Sequence, residues 1–159
     1  MKQENCQYTY DFEVDARPDL IWSYLWDIDG IAECIAGCGE VEKIEANKSY
    51  QAEFSKKIGP FLMRMPLEID ILELKEAELL KVRIKGSDKK LRSEAVQVIR
   101  MALTQPNSPM TTIAIVADLE LSGMLATLGK HMVRQQFAKQ IEDFIIKFRK
   151  SILEKVQNG

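Results

Sequence analysis

The chain has 159 residues, of which 46% are hydrophobic and 29% are charged, and its formal net charge is −2 at pH 7. This length suits one domain, residues 1–159, with a proper core, and the composition is typical of globular proteins. No basic cluster and no apolar run near the roughly 18 residues that span a bilayer are present, so we expect neither a nucleic-acid surface nor a transmembrane segment. The polar start, residues 1–6, has no hydrophobic signal-peptide core, so we expect a cytoplasmic protein.

The first third of the chain predicts a strand followed by two short helices. Residues 7–14 alternate aromatic or aliphatic with polar side chains, which is the period of a half-buried strand. A short helix is expected over 19–26, and Asp29-Gly30 is expected to break it. A second helical piece is expected over 31–35, before two closely spaced glycines.

From Glu40 onwards the hydrophobic period changes to two, which predicts a series of strands joined by short turns. Pro66 lies within one of them, so that strand is expected to be an edge strand or to be bulged there. The proline-rich residues 105–109 are expected to form a turn. The strands are expected over 41–46, 50–55, 61–71, 80–84, 93–103 and 113–121.

The last stretch, Ser122–Val156, predicts one long amphipathic helix whose first residue caps it. Leu125, Leu128 and Met132 point away from the main stripe, so the first turns bury a different side or the helix bends near 133–136. Those first turns either pack under a loop or close the mouth of a cavity. The main stripe consists of Phe137, Ile141, Phe144, Ile145, Phe148 and Ile152, and we expect Phe144 and Phe148 to be buried against the sheet.

These elements together predict an α+β fold. Successive strands with short connections make an antiparallel sheet, and its apolar face must be covered. Only the last helix is long enough to cover it. We therefore expect a curved antiparallel seven-stranded sheet wrapped around a long C-terminal helix, with two short helices after the first strand and a space between sheet and helix.

This order of elements, together with several short motifs, resembles the helix-grip superfamily (START-like, or SRPBCC), which includes lipid-transfer domains and the birch pollen allergen. Within it, the chain resembles the carbon monoxide dehydrogenase CoxG family over about residues 7–150. The chain differs from the family pattern at Ala36, where proline is usual, and at Lys56, where an apolar residue is usual. The matching motifs are CIAGC at 34–38, IGP at 58–60, and ADLELSG at 117–123 running into LATLG at 125–129.

The resemblance implies non-catalytic binding or carriage of a hydrophobic small molecule, lipid or quinone-like, between sheet and helix, without a cofactor. It also implies a molybdenum hydroxylase of the CO dehydrogenase type, or its assembly factors, as partner, with a role in maturation or membrane association through peripheral contact. The many methionines are either core filler or an adaptable pocket wall. The expected lining is Phe54, Phe61, Met63, Met65, Leu67, Ile84, Met101, Leu119, Leu128, Met132 and Phe137.

Two other functions remain open from the sequence. One is an enzyme of the cyclase/aromatase or hydrolase type, which needs convergent polar groups in the pocket, and the chain offers only Lys56, with Tyr50 or Gln97. The other is a protein-binding assembly module with a filled cavity. Lys56 is expected to extend to water at its strand end unless it contacts a ligand headgroup.

The cysteines and the histidine carry no catalytic or metal signature. Cys34 and Cys38 have C-x3-C spacing, but structural zinc needs four ligands and the chain has one further cysteine and one histidine. We therefore expect reduced, packed cysteines and no metal. His131 has no partner acid placed by a motif, so a surface position is expected.

Overall fold

The computed structural model describes residues 3–107 and 109–158. Its elements, in chain order, are β1 (Gln3–Val14), α1 (Pro18–Leu25), α2 (Ile28–Glu33), β2 (Cys38–Glu45), β3 (Ser49–Ile58), β4 (Phe61–Lys75), β5 (Leu79–Asp88), β6 (Ser93–Asn107), β7 (Met110–Ser122), a 3-10 helix (Met124–Leu128) and α3 (Lys130–Asn158).

The strands form one curved antiparallel sheet of seven strands in the order β1-β7-β6-β5-β4-β3-β2, so β1 and β2 are its edges. Strict alternation gives the sheet one buried face. Along β7, for example, Ile113, Ile115 and Ala117 are buried between partly exposed neighbours. The helices α1, α2 and α3 cover this face, and the predicted α+β helix-grip architecture is confirmed.

The predicted helix over Ser122–Val156 is wrong at its start. Ser122, the expected cap, is the last residue of β7. Gly123 and Gly129 have φ angles of 86° and 88°, left-handed values that an α-helix does not contain. The residues between them therefore form the separate 3-10 helix, and α3 begins only after Gly129. The bend expected near 133–136 lies at Gly129 instead.

Hydrogen bonds attach the 3-10 helix to the turn between β5 and β6. The Ser93 hydroxyl accepts a bond from the backbone N–H of Leu125 at 3.0 Å. Gly123 comes so close to this turn that a β-carbon there would overlap the carbonyl oxygen of Arg92. One end of the 3-10 helix is therefore fixed to the sheet by polar contacts.

Pro66 does not mark an edge strand, because β4 has β3 on one side and β5 on the other. It lies opposite Glu53 of β3, one residue before the β4–β5 ladder begins at Leu67. The missing N–H of proline therefore costs no bond to β5. The irregularity in β4 lies further on, between Ile71 and Glu73.

The predicted helix break at Asp29-Gly30 is also wrong. The Asp27 carboxylate accepts a bond from the backbone N–H of Gly30 at 3.3 Å and so caps the start of α2. Both Asp29 and Gly30 therefore lie within α2, which begins at Ile28 rather than Ile31.

Several strands are longer than predicted. β1 begins at Gln3, and β6 runs on to Asn107, which pairs with Met110 of β7. The turn predicted over 105–109 is correspondingly shorter, and its Ser108 lies outside the described residues.

The apolar stripe of α3 is largely confirmed. Phe137, Ile141, Ile145, Phe148 and Ile152 are buried, with Phe148 fully so. Phe144, which we expected to be buried, is only half-buried. It stacks on Phe148 with ring centroids 5.4 Å apart.

Candidate ligand-binding site

A cavity of about 340 Å³ lies between the sheet and the N-terminal half of α3. Ligand sites typically measure about 300–1,000 Å³, so this volume suits a small ligand. Apolar side chains on the central strands face this space and are only half-buried, because protein does not fill the volume beside them. These side chains are Leu67, Ile69, Ile71, Val82, Ile84, Ile99 and Leu119.

The strand pattern that lines the cavity can be seen most clearly on β4. Met63, Met65 and Leu67 are successive inward residues of that strand, and all three lie on the cavity wall. Opposite them on β5 is Gly86. A β-carbon there would approach the Leu67 side chain to 2.8 Å and the Met65 sulfur to 2.9 Å. Glycine at this position therefore lets the two large side chains spread along the wall.

Of the eleven side chains predicted to line the cavity, the structure places nine on its wall. The wall thus includes the strand residues and Met101 as well as Leu128 and Phe137 from the helical end. Whether they bind a ligand stays a prediction. The nine are Phe54, Met63, Met65, Leu67, Ile84, Met101, Leu119, Leu128 and Phe137.

The other two, Phe61 and Met132, lie outside the wall. Phe61 is half-buried where the β3–β4 hairpin turns, opposite Ile58. Met132 is 37% exposed, whereas its neighbour Val133 is buried and lines the cavity. The cause is the later start of α3, because the predicted helical phase carried over from Leu128 across Gly129 does not hold.

Sequence reasoning missed a second group of lining residues on α1, α2 and α3. In and just after α2, Ile28, Ile31, Ala32 and Ile35 recur at helical spacing, a signal that could have identified them. The polar lining residues on α3 gave no such signal. The missed helical residues on the wall are Leu25, Trp26, Ile28, Ile31, Ala32, Ile35, Leu125, Val133, Gln136, Gln140, Ile141 and Phe144.

The polar groups on the wall do not converge on one point. Lys56 Nζ donates to Gln140 Oε1 of α3 at 3.4 Å. The Tyr50 hydroxyl accepts from the backbone N–H of Asn47 at 3.1 Å, and so is held at the β2–β3 turn. Gln97 is on β6, three strand spacings from β3, or about 14 Å along the sheet. The wall therefore lacks the clustered acid–base pair that an enzyme of this shape needs.

Lys56 is the exceptional residue of the wall. It follows Tyr50, Ala52 and Phe54 on the inward face of β3 and is half-buried. Burial lowers the pKa of its ammonium below the ordinary value for lysine, and the nearby Asp143 carboxylate opposes this effect. The side chain thus reaches across the cavity wall to α3 instead of extending into water.

The cysteines take part in packing. Cys34 is buried where α1, α2 and α3 meet, with its sulfur 3.4 Å from the carbonyl oxygen of Gly30 and 3.9 Å from the Ser151 hydroxyl. Burial raises the pKa of the Cys38 thiol, which disfavours the reactive thiolate. His131 is exposed, as expected. Over residues 3–107 and 109–158, no three His, Cys, Asp or Glu side chains are grouped to hold a metal ion, and the expectation of no metal stays a prediction.

In the described part of the chain, no helix combines the length and the hydropathy needed to cross a bilayer. A curved sheet wrapped around a C-terminal helix, with an apolar cavity between them, defines a helix-grip protein, a fold that binds hydrophobic ligands. The chain belongs to the carbon monoxide dehydrogenase CoxG family, whose sequence model matches residues 11–153. This confirms the resemblance read from the sequence motifs.

Solved structures agree on the fold. A conserved protein from Geobacillus kaustophilus is 22% identical, with a TM-score of 0.85, over 94% of this chain and 96% of that one. The Zhui aromatase/cyclase from Streptomyces sp. R1128 is 12% identical, with a TM-score of 0.73, over 96% of each chain. Ara h 8.0201 is 13% identical, with a TM-score of 0.63, over 94% of this chain and 99% of that one. No curated protein shows significant similarity to the sequence.

Proposed function

We propose that this protein is a non-catalytic carrier that binds a hydrophobic small molecule, lipid or quinone-like, in the cavity between sheet and α3. The observation that carries the proposal is the unfilled volume of about 340 Å³ with an almost wholly apolar wall. A close-packed interior would not leave such a volume empty, since each lining side chain gives up dispersion contacts. An apolar ligand restores those contacts, and its own transfer from water is favourable.

The family suggests for whom the ligand is carried. Members of a family named for carbon monoxide dehydrogenase are expected to act with that enzyme, so we propose that this chain serves a molybdenum-containing enzyme of that type. Its role would lie in maturation or in membrane association through peripheral contact. The sharpest genetic test is to delete the gene in its host and measure CO-oxidising activity. Loss of activity that the wild-type gene restores would support the assignment, and unchanged activity would refute it.

An enzyme of the aromatase/cyclase type is the alternative, and the solved aromatase/cyclase of the same fold favours it. Such chemistry needs an acid or base close to the reacting atoms. The dispersed positions of Lys56, Tyr50 and Gln97 favour the carrier. A third possibility, a protein-binding module with a filled cavity, is disfavoured by the open volume.

Binding can be followed through the protein's own fluorescence. Trp26 lines the cavity, whereas the other tryptophan, Trp22, is buried beside it with ring centroids 5.9 Å apart. The purified protein is first analysed by native mass spectrometry and solvent extraction for co-purified ligand. It is then titrated with fatty acids, their esters and short-chain isoprenoid quinones. We expect saturable changes in emission for wild type and for Trp22→Phe, and a much smaller change for Trp26→Phe.

The outcome is decisive in both directions. Saturable binding with recovery of each ligand unchanged after long incubation supports a carrier. Recovery of a chemically altered ligand would establish the enzymatic alternative. Failure of every apolar ligand to bind would reject the proposal and favour the assembly module.

A further inference from the structure

The wall of the cavity is apolar except for a short polar strip that joins β3 to α3. Lys56 on β3 reaches Gln140 on α3, and Gln136 lies one helical turn before Gln140 and also lines the cavity. The strip therefore presents one ammonium and two amides to the same side of the cavity. All three groups can donate hydrogen bonds.

Lys56 is poorly satisfied by the protein. Its bond to Gln140 is 3.4 Å long, beyond the 2.7–3.2 Å of a good N–H···O bond, and the acceptor is neutral. In the described ranges 3–107 and 109–158, no carboxylate lies within 4.0 Å of its ammonium. The closest negative influence, Asp143, is offset by the positive charges of Lys139 and Lys147.

The surroundings of Lys56 make an anion favourable there. Among the lining side chains that the structure describes, it is the one that carries a full charge at neutral pH. A charge that has lost part of its water without gaining a counter-ion is costly, and that cost falls when an anion binds. Charge-assisted hydrogen bonds are also about twice as strong as neutral ones.

We propose that Lys56, with Gln136 and Gln140, binds the anionic headgroup of a single-chain amphiphile whose hydrocarbon chain occupies the apolar cavity. This inference rests on the proposed carrier function and specifies the class of ligand. The headgroup supplies carboxylate or phosphate oxygens, which share the chemistry that an ammonium and two amides recognise. A single chain is chosen because about 340 Å³ is near the lower limit of ligand sites.

The test compares three probes that share one chain and differ in headgroup: decanoate, decyl phosphate and methyl decanoate. Each is titrated by tryptophan fluorescence into wild type, Lys56→Met and Lys57→Met. Lys57 is the matched control, because it is the adjacent lysine of β3 and its side chain is exposed on the opposite face of the strand. The measured quantity is the ratio of the anion's Kd to the ester's Kd, which cancels differences in chain burial.

We expect Lys56→Met to raise this ratio about tenfold for one or both anions, equivalent to about 1.4 kcal/mol, and Lys57→Met to leave it within about twofold. The anion with the larger change identifies the headgroup. Lys56→Gln, which keeps a polar side chain without the charge, is expected to raise the ratio similarly and covers the case that Lys56→Met folds poorly.

Three results separate this inference from the proposed function. If the ester binds but neither ratio responds to Lys56, the headgroup assignment is overturned and the carrier stands. If Lys57→Met has the same effect as Lys56→Met, the effect is general surface charge and the assignment is again overturned. If no probe binds wild type, the carrier proposal fails and this inference fails with it.

Discussion

The two halves of α3 carry one apolar stripe but meet different surroundings. The C-terminal half packs tightly: Phe148 and Ile152 are at most 1% exposed, and the ring of Tyr24 from α1 lies 5.5 Å from that of Phe148. The N-terminal half, with Phe137 and Phe144, faces the cavity. A continuous stripe in the sequence therefore does not distinguish a side chain that fills a core from one that lines a binding site.

What differs between the halves is the opposing surface. Opposite the C-terminal half lie α1 and β1, and the added cation–π contact of Arg149 over Phe12, 6.0 Å from the ring centroid, fixes this end. Opposite the N-terminal half lie strands that curve away. That end is held instead by hydrogen bonds at the 3-10 helix, such as the bond from Leu125 to Ser93. We infer that the C-terminal half provides stability and the N-terminal half provides the site.

The largest effect is expected in the packed half. Phe148→Ala should lower the free energy of unfolding by about 3–5 kcal/mol, because it empties a fully enclosed site. Urea denaturation followed by circular dichroism measures it. The exposed Ile146→Ala on the same helix is the control and should change stability little. A loss below about 1 kcal/mol for Phe148→Ala would show that this half is not the stability core.

In the cavity half, the corresponding effect should appear in binding. Leu128→Arg places a charge on the apolar wall and should weaken ligand binding about hundredfold, or about 2.7 kcal/mol. Met132→Arg, four residues on but outside the wall, should leave binding within about twofold. Fluorescence titration compares the two. Equal losses would mean that the 3-10 helix and the first turn of α3 move into the site together.

A third prediction concerns the polar attachment of the cavity half. The Asp88 carboxylate is buried and accepts backbone bonds from Arg64 at 2.8 Å and Leu91 at 3.0 Å. Burial alone would raise its pKa, but these bonds outweigh burial and hold the pKa below the ordinary value. Asp88→Asn should therefore cost about 1–3 kcal/mol at pH 7, since one N–H loses its acceptor.

The pH dependence of that cost follows from the direction of the shift. Because the folded pKa is depressed, the ionised Asp88 stabilises the fold above its ordinary pKa, about 3.9. This contribution is lost as the pH falls through the lower folded value. The stability gap between wild type and Asp88→Asn should narrow in acid, measured by urea denaturation at a series of pH values. A gap that stays constant down to pH 2 would contradict the role given to the carboxylate.

The smallest effect on stability is expected at Phe144, which links the two halves. Its ring is half-buried and stacks on Phe148, so Phe144→Ala should cost about 1–2 kcal/mol, clearly less than Phe148→Ala. A thermal melt of both variants gives the comparison. Equal costs would mean that the cavity half is as tightly packed as the other half.

The sequence predicts most of the fold because its signals are local. Alternation along β3, β4 and β7 and the stripe from Phe137 to Ile152 are repeated patterns that tertiary contacts reinforce. The start of α3 could not be predicted in this way. A glycine is tolerated within a helical pattern, so neither Gly123 nor Gly129 marks a break by itself. The positive φ of Gly123 accompanies its close contact with Arg92, a residue of a turn about thirty positions earlier in the chain.

The site was predicted where strands form it and missed where helices do. Inward strand residues such as Met65 follow from parity alone. Val133 and Gln140 depend on the true helical phase after Gly129, and Met132 was assigned in error for the same reason. The pairing of Lys56 with Gln140 joins residues 84 positions apart, so no local pattern reports it.

The central claim is that the cavity, and not the exposed apolar surface near it, binds the ligand. Methionine methyl groups test this directly, because Met63, Met65 and Met101 line the cavity whereas Met124 and Met132 are exposed outside it. Protein labelled with ¹³C at the methionine methyls is saturated with the tightest-binding ligand of the fluorescence titration, and intermolecular NOEs are recorded. The account predicts NOEs from the hydrocarbon chain to Met63, Met65 and Met101 and none to Met124 or Met132; the opposite pattern would contradict it.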